Sequence, residues 1–542
     1  MIPAEARMTG EWIGLAVVAL FLGGCARLPT APQTDRAGTP SLRPALALSS
    51  PRETKLIPSG GIPHALFGYS VALSGDLALI GSEGEEEGDK EISSGVSYVF
   101  RRSGGAWAQE AVIATPGAEE SEDFNISVAV DGDVAVISSQ ADEEKGSFAG
   151  AALVFRRSGG LWEQEAKLTA SDGSPDDFLG SSVAIDGNVI VVGAEGDDDK
   201  GNASGSAYVF RRTGGIWREE AKLVASDGRD FQDLGIRVAL SGDVALIGAR
   251  GAAYVFRRSA GVWMEEATLV TPESGPAPPA IREVGLSGDV AVVSVPNDGG
   301  NGLAYVFRHD AGVWTHEATL MAEAGANPDR VLSIAVRGNL VILGTPLDED
   351  GNKTGSVLVF AGSQGIWTRQ AKLLPSDGER FGLFGWSVST SRGRVLVGAI
   401  FDGAAYVYDL RPVRVVSIDV MPGSERNPIN PGRGGTVPVV ILSDANVDAP
   451  ADMDRASLTF GAGGDEPSLQ ARGNGTPNCG VLDVNGDGLD DLLCHFLTEV
   501  AGFSAQDTEA VLRGAFLDGT PIEGRDTFTP VGRVMRLGQL ER

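Results

Sequence analysis

The sequence predicts an all-β chain, a seven-bladed β-propeller followed by a C-terminal β-sandwich. Three observations predict it: a four-strand unit recurs seven times, six tryptophans mark its period, and after residue 410 the repeat gives way to strand runs set apart by Gly, Pro and Asn turns. Composition agrees, since 74 Gly and 22% charged residues among short Val/Ile/Ala runs describe a turn-rich β protein rather than a helical one.

In chain order, the first element is a short apolar run from Trp12 to Gly24, too short to span a bilayer and of signal-peptide length. It closes on Leu22-Gly23-Gly24-Cys25, which resembles the bacterial lipobox. That resemblance implies a signal peptide over 1–24, lipidation of Cys25 as the mature N-terminus and, from Ala26, an outer-membrane or cell-surface destination. An ordinary cleaved signal with an incidental cysteine is the alternative. Residues 25–51 carry Pro29, Pro32, Pro40, Pro44 and Pro51 among small residues and read as a tether. The formal net charge of −29 disfavours both a role that tracks a phosphate backbone and adsorption to anionic lipid, so nucleic acid is not an expected partner and membrane contact is expected through the lipid alone. A monomer outside the cytoplasm is expected.

The repeat spans 52–410. One copy, at 178–223, reads FLGSSVAIDGNVIVVGAEGDDDKGNASGSAYVFRRTGGIWREEAKL, with strand signals at SVAI, VIVVGA, AYVF and from Trp217 to Leu223. Trp107, Trp162, Trp217, Trp263, Trp314 and Trp367 recur at intervals of 55, 55, 46, 51 and 53 residues. Turns such as Asp186-Gly187 and Ser241-Gly242 join the first strand pair, which is hairpin chemistry. Four antiparallel strands at this period describe a propeller blade. The seventh unit stops after Ala405-Tyr406-Val407-Tyr408, and Glu53-Thr54-Lys55-Leu56 matches Glu165-Ala166-Lys167-Leu168. The N-terminal segment is therefore expected to supply the outer strand of the last blade and leave no open sheet edge. The tryptophans are expected to pack between neighbouring blades or over the outer strand rather than to stack on sugar.

Phe67-Gly68 and Phe381-Gly382, with Gly81-Ser82, Gly193-Ala194, Gly248-Ala249 and Gly398-Ala399 at the ends of second strands, resemble the FG-GAP repeats of integrin α subunits and many bacterial surface proteins. The resemblance implies the closed propeller and a binding role. The calcium loop that integrin-type blades often carry between strands one and two is a bare turn here, so calcium is not carried over to that place.

Strand alternation puts the connections from strand four to the next strand one, and from two to three, on one face. That face gathers residues 83–87, 142–144, Asp197, Asp198 and Asp199, and Asp348 and Asp350. The opposite rim carries Arg pairs at 101/102, 156/157, 211/212 and 257/258. The acidic face is either a ligand surface or a solvating one; both readings stand.

From 411 to 542, strand runs such as TVPVVIL and VLDVNGDGLDDLLCHF suggest the sandwich, and IDVMPGS and VNGDGLDDLL resemble a domain at the ends of bacterial secreted repeat proteins. Asp483, Asn485, Asp487, the Leu489 carbonyl and Asp491 have the oxygen set and spacing of a calcium loop, with Gly488 at its turn. Cys494 stands where an EF-hand has its bidentate glutamate, so flanking strands fit better than helices, and a structural ion fits better than a catalytic one. Cys479 and Cys494 bracket the loop and are a disulfide candidate in an oxidising compartment, free thiols being the alternative.

The four histidines, His64, His309, His316 and His495, have no metal spacing, and no nucleophile elbow or phosphate loop is present. A non-catalytic scaffold for protein, envelope or matrix ligands is the leading reading. A carbohydrate-active propeller enzyme, lyase or glycosidase, and a purely structural envelope protein are the alternatives.

Overall fold

The computed structural model describes residues 51–531, apart from 60–65, 84–94, 115–123, 272–280, 296–302, 322–330, 348–353, 364, 380, 412–413, 425, 432–433, 445–446, 465 and 519. Cys25 with its flanking signal and tether residues, most of the 83–87 acidic run, His64, Asp348 and Asp350 lie outside these. Among the described residues no helix is long and apolar enough to cross a membrane.

Seven four-stranded antiparallel sheets follow one another, each running from an inner to an outer strand. Blade 3 is typical: Leu179–Asp186, Val189–Ala194, Ser206–Thr213 and Ile216–Leu223. Its second strand, VIVVGA, is buried throughout, as a strand packed on both faces must be. The turn between the first two strands is one residue later than the sequence suggested. Asp186 pairs with Val189, which makes Gly187 and Asn188 the central residues, and Gly187 has the positive φ (59°) that the first position of a II′ hairpin turn requires.

Blade 7 has three strands of its own, Phe384–Ser391, Arg394–Ala399 and Ala404–Asp409. Its outer strand is Arg52–Leu56, antiparallel to Ala404–Asp409 with Glu53 opposite Tyr408 and Thr54 opposite Val407. The apolar core is divided into seven clusters, each shared by two adjacent blades. The seventh joins Leu396, Ala405, Val407 and Leu56 of blade 7 to Phe67, Val71 and Ile80 of blade 1, so the ring is closed by the same packing that joins its interior blades. At about 1.5–3 kcal/mol for each fully buried large apolar side chain, every seam is a major contributor to stability.

Two rings of polar contacts run beside these cores. At the end of each first strand a side-chain oxygen accepts the turn N–H of the next blade: Ser74 from Gly132, Asp131 from Gly187, Asp186 from Gly242, Ser241 from Gly288, Ser287 from Gly338, and Ser391 from Gly75 across the closure. Arg337 occupies this place in blade 6. The outer ring depends on a β-bulge in strand four. In blade 3, Val209 faces Ala221 while Phe210 faces Glu219, so Glu220 is the extra residue, turned towards the neighbouring blade.

The C-terminal region forms two further four-stranded sheets, one containing Glu509–Ala515 and Pro521–Thr527, the other Thr436–Ile441 and Asp491–Leu497. Leu512 and Ile522 of the first share a core with Val439, Leu492 and Phe496 of the second, which makes a sandwich.

Candidate functional site

The rim arginines are not a free basic face. Glu220 accepts from Arg211 of its own blade (2.8 Å), and from Arg258 (2.8 Å) and the Trp263 indole (3.0 Å) of the next. Glu110 binds Arg101, Arg157 and Trp162 in the same way, and Glu317 binds Arg308 and Trp367. Glu165 takes Arg156 and Arg212, and Glu266 takes Arg257 and Trp314, with His309 at 3.3 Å. Burial alone would raise these carboxyls. For Glu110, Glu165, Glu220 and Glu266 the bonds to Arg and, in all but Glu165, to Trp outweigh it and hold the pKa below the ordinary range, and for Glu317 the bond to Arg308 is the leading cause of the same shift. The periodic tryptophans thus serve the seams between blades.

On the opposite face the described aspartates are committed as well. Asp197 is buried and meets Lys222 at 2.7 Å and the Tyr208 hydroxyl at 3.0 Å. Asp199 also meets Lys222 (2.6 Å), and Asp198 accepts from the Ala203 N–H (2.7 Å). Asp177, in the adjoining 4-to-1 connection, is pushed up to about 6 by burial and by the neighbouring Asp197 charge, although the Ser174 N–H opposes this. These carboxylates order two connections of blade 3.

The centre of that face is different. Residues at the start of the first strands, with Gln140 and Glu195 just beyond two second strands, line a cavity of about 490 Å³ at the mouth of the channel. Serine is the usual residue on this inner ring, and it ties blade to blade. Ser70, Ser127 and Ser182 accept the N–H of Val128, Val183 and Val238, while Ser333 and Ser387 donate to the carbonyls of Gly385 and Gly68. Blades 4 and 5 have Arg237 and Glu283 in this position. Arg237 donates to the carbonyls of Arg282 (3.0 Å) and Ile236 (2.7 Å) and lies 3.5 Å from Glu283. One residue earlier on the ring stand Arg282 in blade 5, Tyr69 in blade 1 and Trp386 in blade 7, the two rings 5.7 Å apart and tilted by 47°. Burial raises the carboxyls of Glu195 and Glu283, and Arg237 opposes both shifts.

In the sandwich, Cys479 and Cys494 face one another on paired strands and are disulfide-bonded, with a Cα separation of 4.1 Å. The loop between them joins two strands. Asp483 accepts from the N–H of Gly486 and Gly488, Asn485 from that of Asp487, and Asp487 from that of Leu489. Asp491 is fully buried and accepts from Ser443 and Val484, which anchors the second strand. Among the described residues no group of three or more His, Cys, Asp or Glu is gathered as a metal would require.

A ring of seven four-stranded blades, stitched at every seam and opening on a polar channel mouth, defines a repeat propeller. Five segments, 51–100, 107–155, 162–210, 217–259 and 367–408, match the model of the FG-GAP repeat, so the propeller contains FG-GAP repeats and is consistent with an integrin α-like propeller. No curated protein matches the chain. The structure shows why this repeat needs its glycines. A β-carbon on Gly193, at the end of a second strand, would lie 1.9 Å from the carbonyl oxygen of Gly235 in the next blade, and one on Gly398 would lie 2.0 Å from that of Gly68. The two glycines of the motif clasp backbone to backbone across the seam. In blade 7 the clasping pair is Phe384-Gly385, not Phe381-Gly382: Phe384 is fully buried against Tyr406 and Tyr408, whereas Phe381 is half exposed. The tandem Phe-Gly-Leu-Phe-Gly places two candidates three residues apart, and burial selects the second.

Sequence reasoning missed Tyr69, Gln140, Glu195, Arg237, Arg282, Glu283 and Trp386. A signal existed in the aligned repeats, where the Ser of S-V becomes Arg237 or Glu283 and the residue before it becomes aromatic in blades 1 and 7. It becomes visible only once the strand is known to line the channel.

Proposed function

We propose that the chain is a non-catalytic extracytoplasmic lipoprotein, anchored through Cys25, whose propeller binds a protein or envelope ligand on the face carrying the 4-to-1 and 2-to-3 connections. The observation that supports this reading is the contrast at the channel mouth: Arg237 and Glu283 replace the serines that suffice for blade-to-blade bonding elsewhere on the ring, and Arg282, Tyr69 and Trp386 stand beside that ring. The rim arginines of the other face are committed to the seams. In the sandwich, Asp491 drops out of the expected calcium set because it is buried on Ser443 and Val484, while Asp483, Asn485 and Asp487 remain exposed oxygen donors around Gly486 and Gly488, and a structural calcium drawn onto these is part of this reading. The same channel mouth gives the second reading, a carbohydrate-active propeller, its one specific support, since Tyr69 and Trp386 line one cavity with Glu195 and Glu283. The immobilised full chain is expected to retain envelope or matrix material, with part of it released by a chelator. No retention with or without chelator contradicts the scaffold, and release of reducing sugar from a polysaccharide panel would favour the enzyme.

A further inference from the structure

We propose that the channel mouth is a binding site for a carboxylate-bearing sugar, its pyranose ring laid on Trp386 and Tyr69 and its carboxylate held by Arg282. This deepens the binding role above and rests on the reading that places the ligand on this face.

The first ground is that the fold does not require these side chains. Five blades hold the inner ring with serine; in blades 4 and 5 Arg237 and Glu283 stand there and bridge their seam, which leaves Arg282, beside them, as the departure that the seams do not explain. Their placement is the second ground. In a ring of seven, blade 4 lies across the channel from the junction of blades 7 and 1, so the charged wall faces the aromatic pair. A ligand spanning the mouth meets a π face on one side and a cation on the other.

The charges on that wall have different duties. Arg237 is spent, two of its donors on backbone carbonyls and its charge set against Glu283. Arg282 is exposed, and among the described residues its guanidinium has no hydrogen bond or ion pair. Its planar fork suits a carboxylate in two-point contact. Between the two walls, the side chains of Gln140 and Glu195 line the cavity without a hydrogen-bonding partner among the described residues, and Gln140 is nine-tenths buried. A carboxamide and a carboxyl in that position match the hydroxyls of a sugar, which both donate and accept.

Other occupants use less of the site. A neutral sugar leaves Arg282 unmatched, a bare inorganic anion leaves the aromatic pair unused, and a basic peptide brings its cations against Arg282. The cavity of about 490 Å³ falls in the range of small-ligand sites. Trp386 is also separate from the periodic tryptophans, which are committed to the seams.

The test is a titration of the purified full chain with galacturonate, glucuronate and mannuronate disaccharides, followed by calorimetry and tryptophan fluorescence, with the matched neutral disaccharides as controls. Saturable binding of at least one acidic disaccharide is expected, weaker by about tenfold or more in Arg282→Ala and weaker again in Trp386→Leu. Arg282→Ala, an exposed side chain without partners, is expected to keep the thermal midpoint of the parent and so separates lost binding from lost folding. No saturable binding across the panel, equal binding of the neutral sugars, or an Arg282→Ala variant that binds like the parent overturns the proposal. If the sugars fail while envelope retention persists, the ligand class is wrong and the scaffold stands. If neither is observed, both fall.

Discussion

The first three strands of blades 1 to 4 and 7 lie in segments that match the FG-GAP repeat and those of blades 5 and 6, between residues 260 and 366, do not, yet all seven blades have the same strand order. The seam between blades 3 and 4 is clasped by Gly193 against Gly235. At the next seam a β-carbon on Gly248 would lie 3.3 Å from a methyl carbon of each of Ile281 and Val284, a tight contact with side chains rather than with backbone, and Arg282 stands near where the clasping glycine would be. Both seams keep the turn contact, Asp186 to Gly242 in one and Ser241 to Gly288 in the other. The comparison teaches that strand pattern, bulge and turn contact specify the blade, while the glycine clasp is one of two ways to pack a seam. Where it is absent, Ile281 takes the glycine's place, and Arg282 and Glu283 after it continue the charged wall that begins at Arg237 beside the clasped Gly235.

The clasp is the sharpest place to break this comparison. Gly193→Val drives a side chain into the backbone of blade 4 and is expected to cost about 3 kcal/mol or more, whereas Gly248→Ala makes tight contacts with side chains that need give only slightly and is expected to cost about 1 kcal/mol. Urea midpoints of the two variants check this; equal losses would remove the distinction between the seams.

The bulged residue gives the next effect. Glu220→Ala leaves Arg211, Arg258 and the Trp263 indole without their acceptor and is expected to cost about 2 kcal/mol. Gln370, the bulged residue of blade 6, bonds to Thr368 of its own strand and among the described residues has no arginine or tryptophan clamp to blade 7, and Gln370→Ala is expected to stay within about 0.5 kcal/mol of the parent. Denaturation of both variants under one condition decides whether the bulge matters for its charge or only for its shape.

The smallest effect is set by pH. The five clamp glutamates have folded pKa values held below the ordinary 4.5, so the unfolded chain binds more protons just below that value and stability falls as pH drops from about 4.5 through the folded values. Asp177 has the opposite sign. Its pKa is raised from 3.8 to about 6, so it favours the fold below 3.8 and withdraws that contribution as pH rises through 6. Thermal midpoints against pH should therefore show a weaker acid decline for Glu220→Ala, and for Asp177→Asn the removal of a loss between 3.8 and 6. Parallel curves for parent and variants would contradict the assignments.

Much of the fold was legible because the repeat prints it seven times: the tryptophan period, the E-A-K-L strand and its displaced copy at Glu53–Leu56 give the blades and the closure without any contact map. The bulge was hidden in plain sequence, since Glu219-Glu220 looks like a solvated pair until pairing makes Glu220 the extra residue. The Arg pairs resembled a basic rim for the same reason: sequence records a charge, not the partner two strands and one blade away. The channel wall was the least legible, because Arg237, Arg282 and Trp386 are distant in sequence and become neighbours of one cavity only after the ring closes.

That closure can be measured directly. With Cys25 replaced by Ser, the pair Thr54→Cys and Val407→Cys puts thiols on residues that face one another across the strand pairing at the ring's junction. Under mild oxidation an intramolecular cross-link is expected, recovered as one joined peptide in monomeric protein. Free thiols under the same conditions, or a link found only between two chains, would mean that the N-terminal strand does not close its own ring.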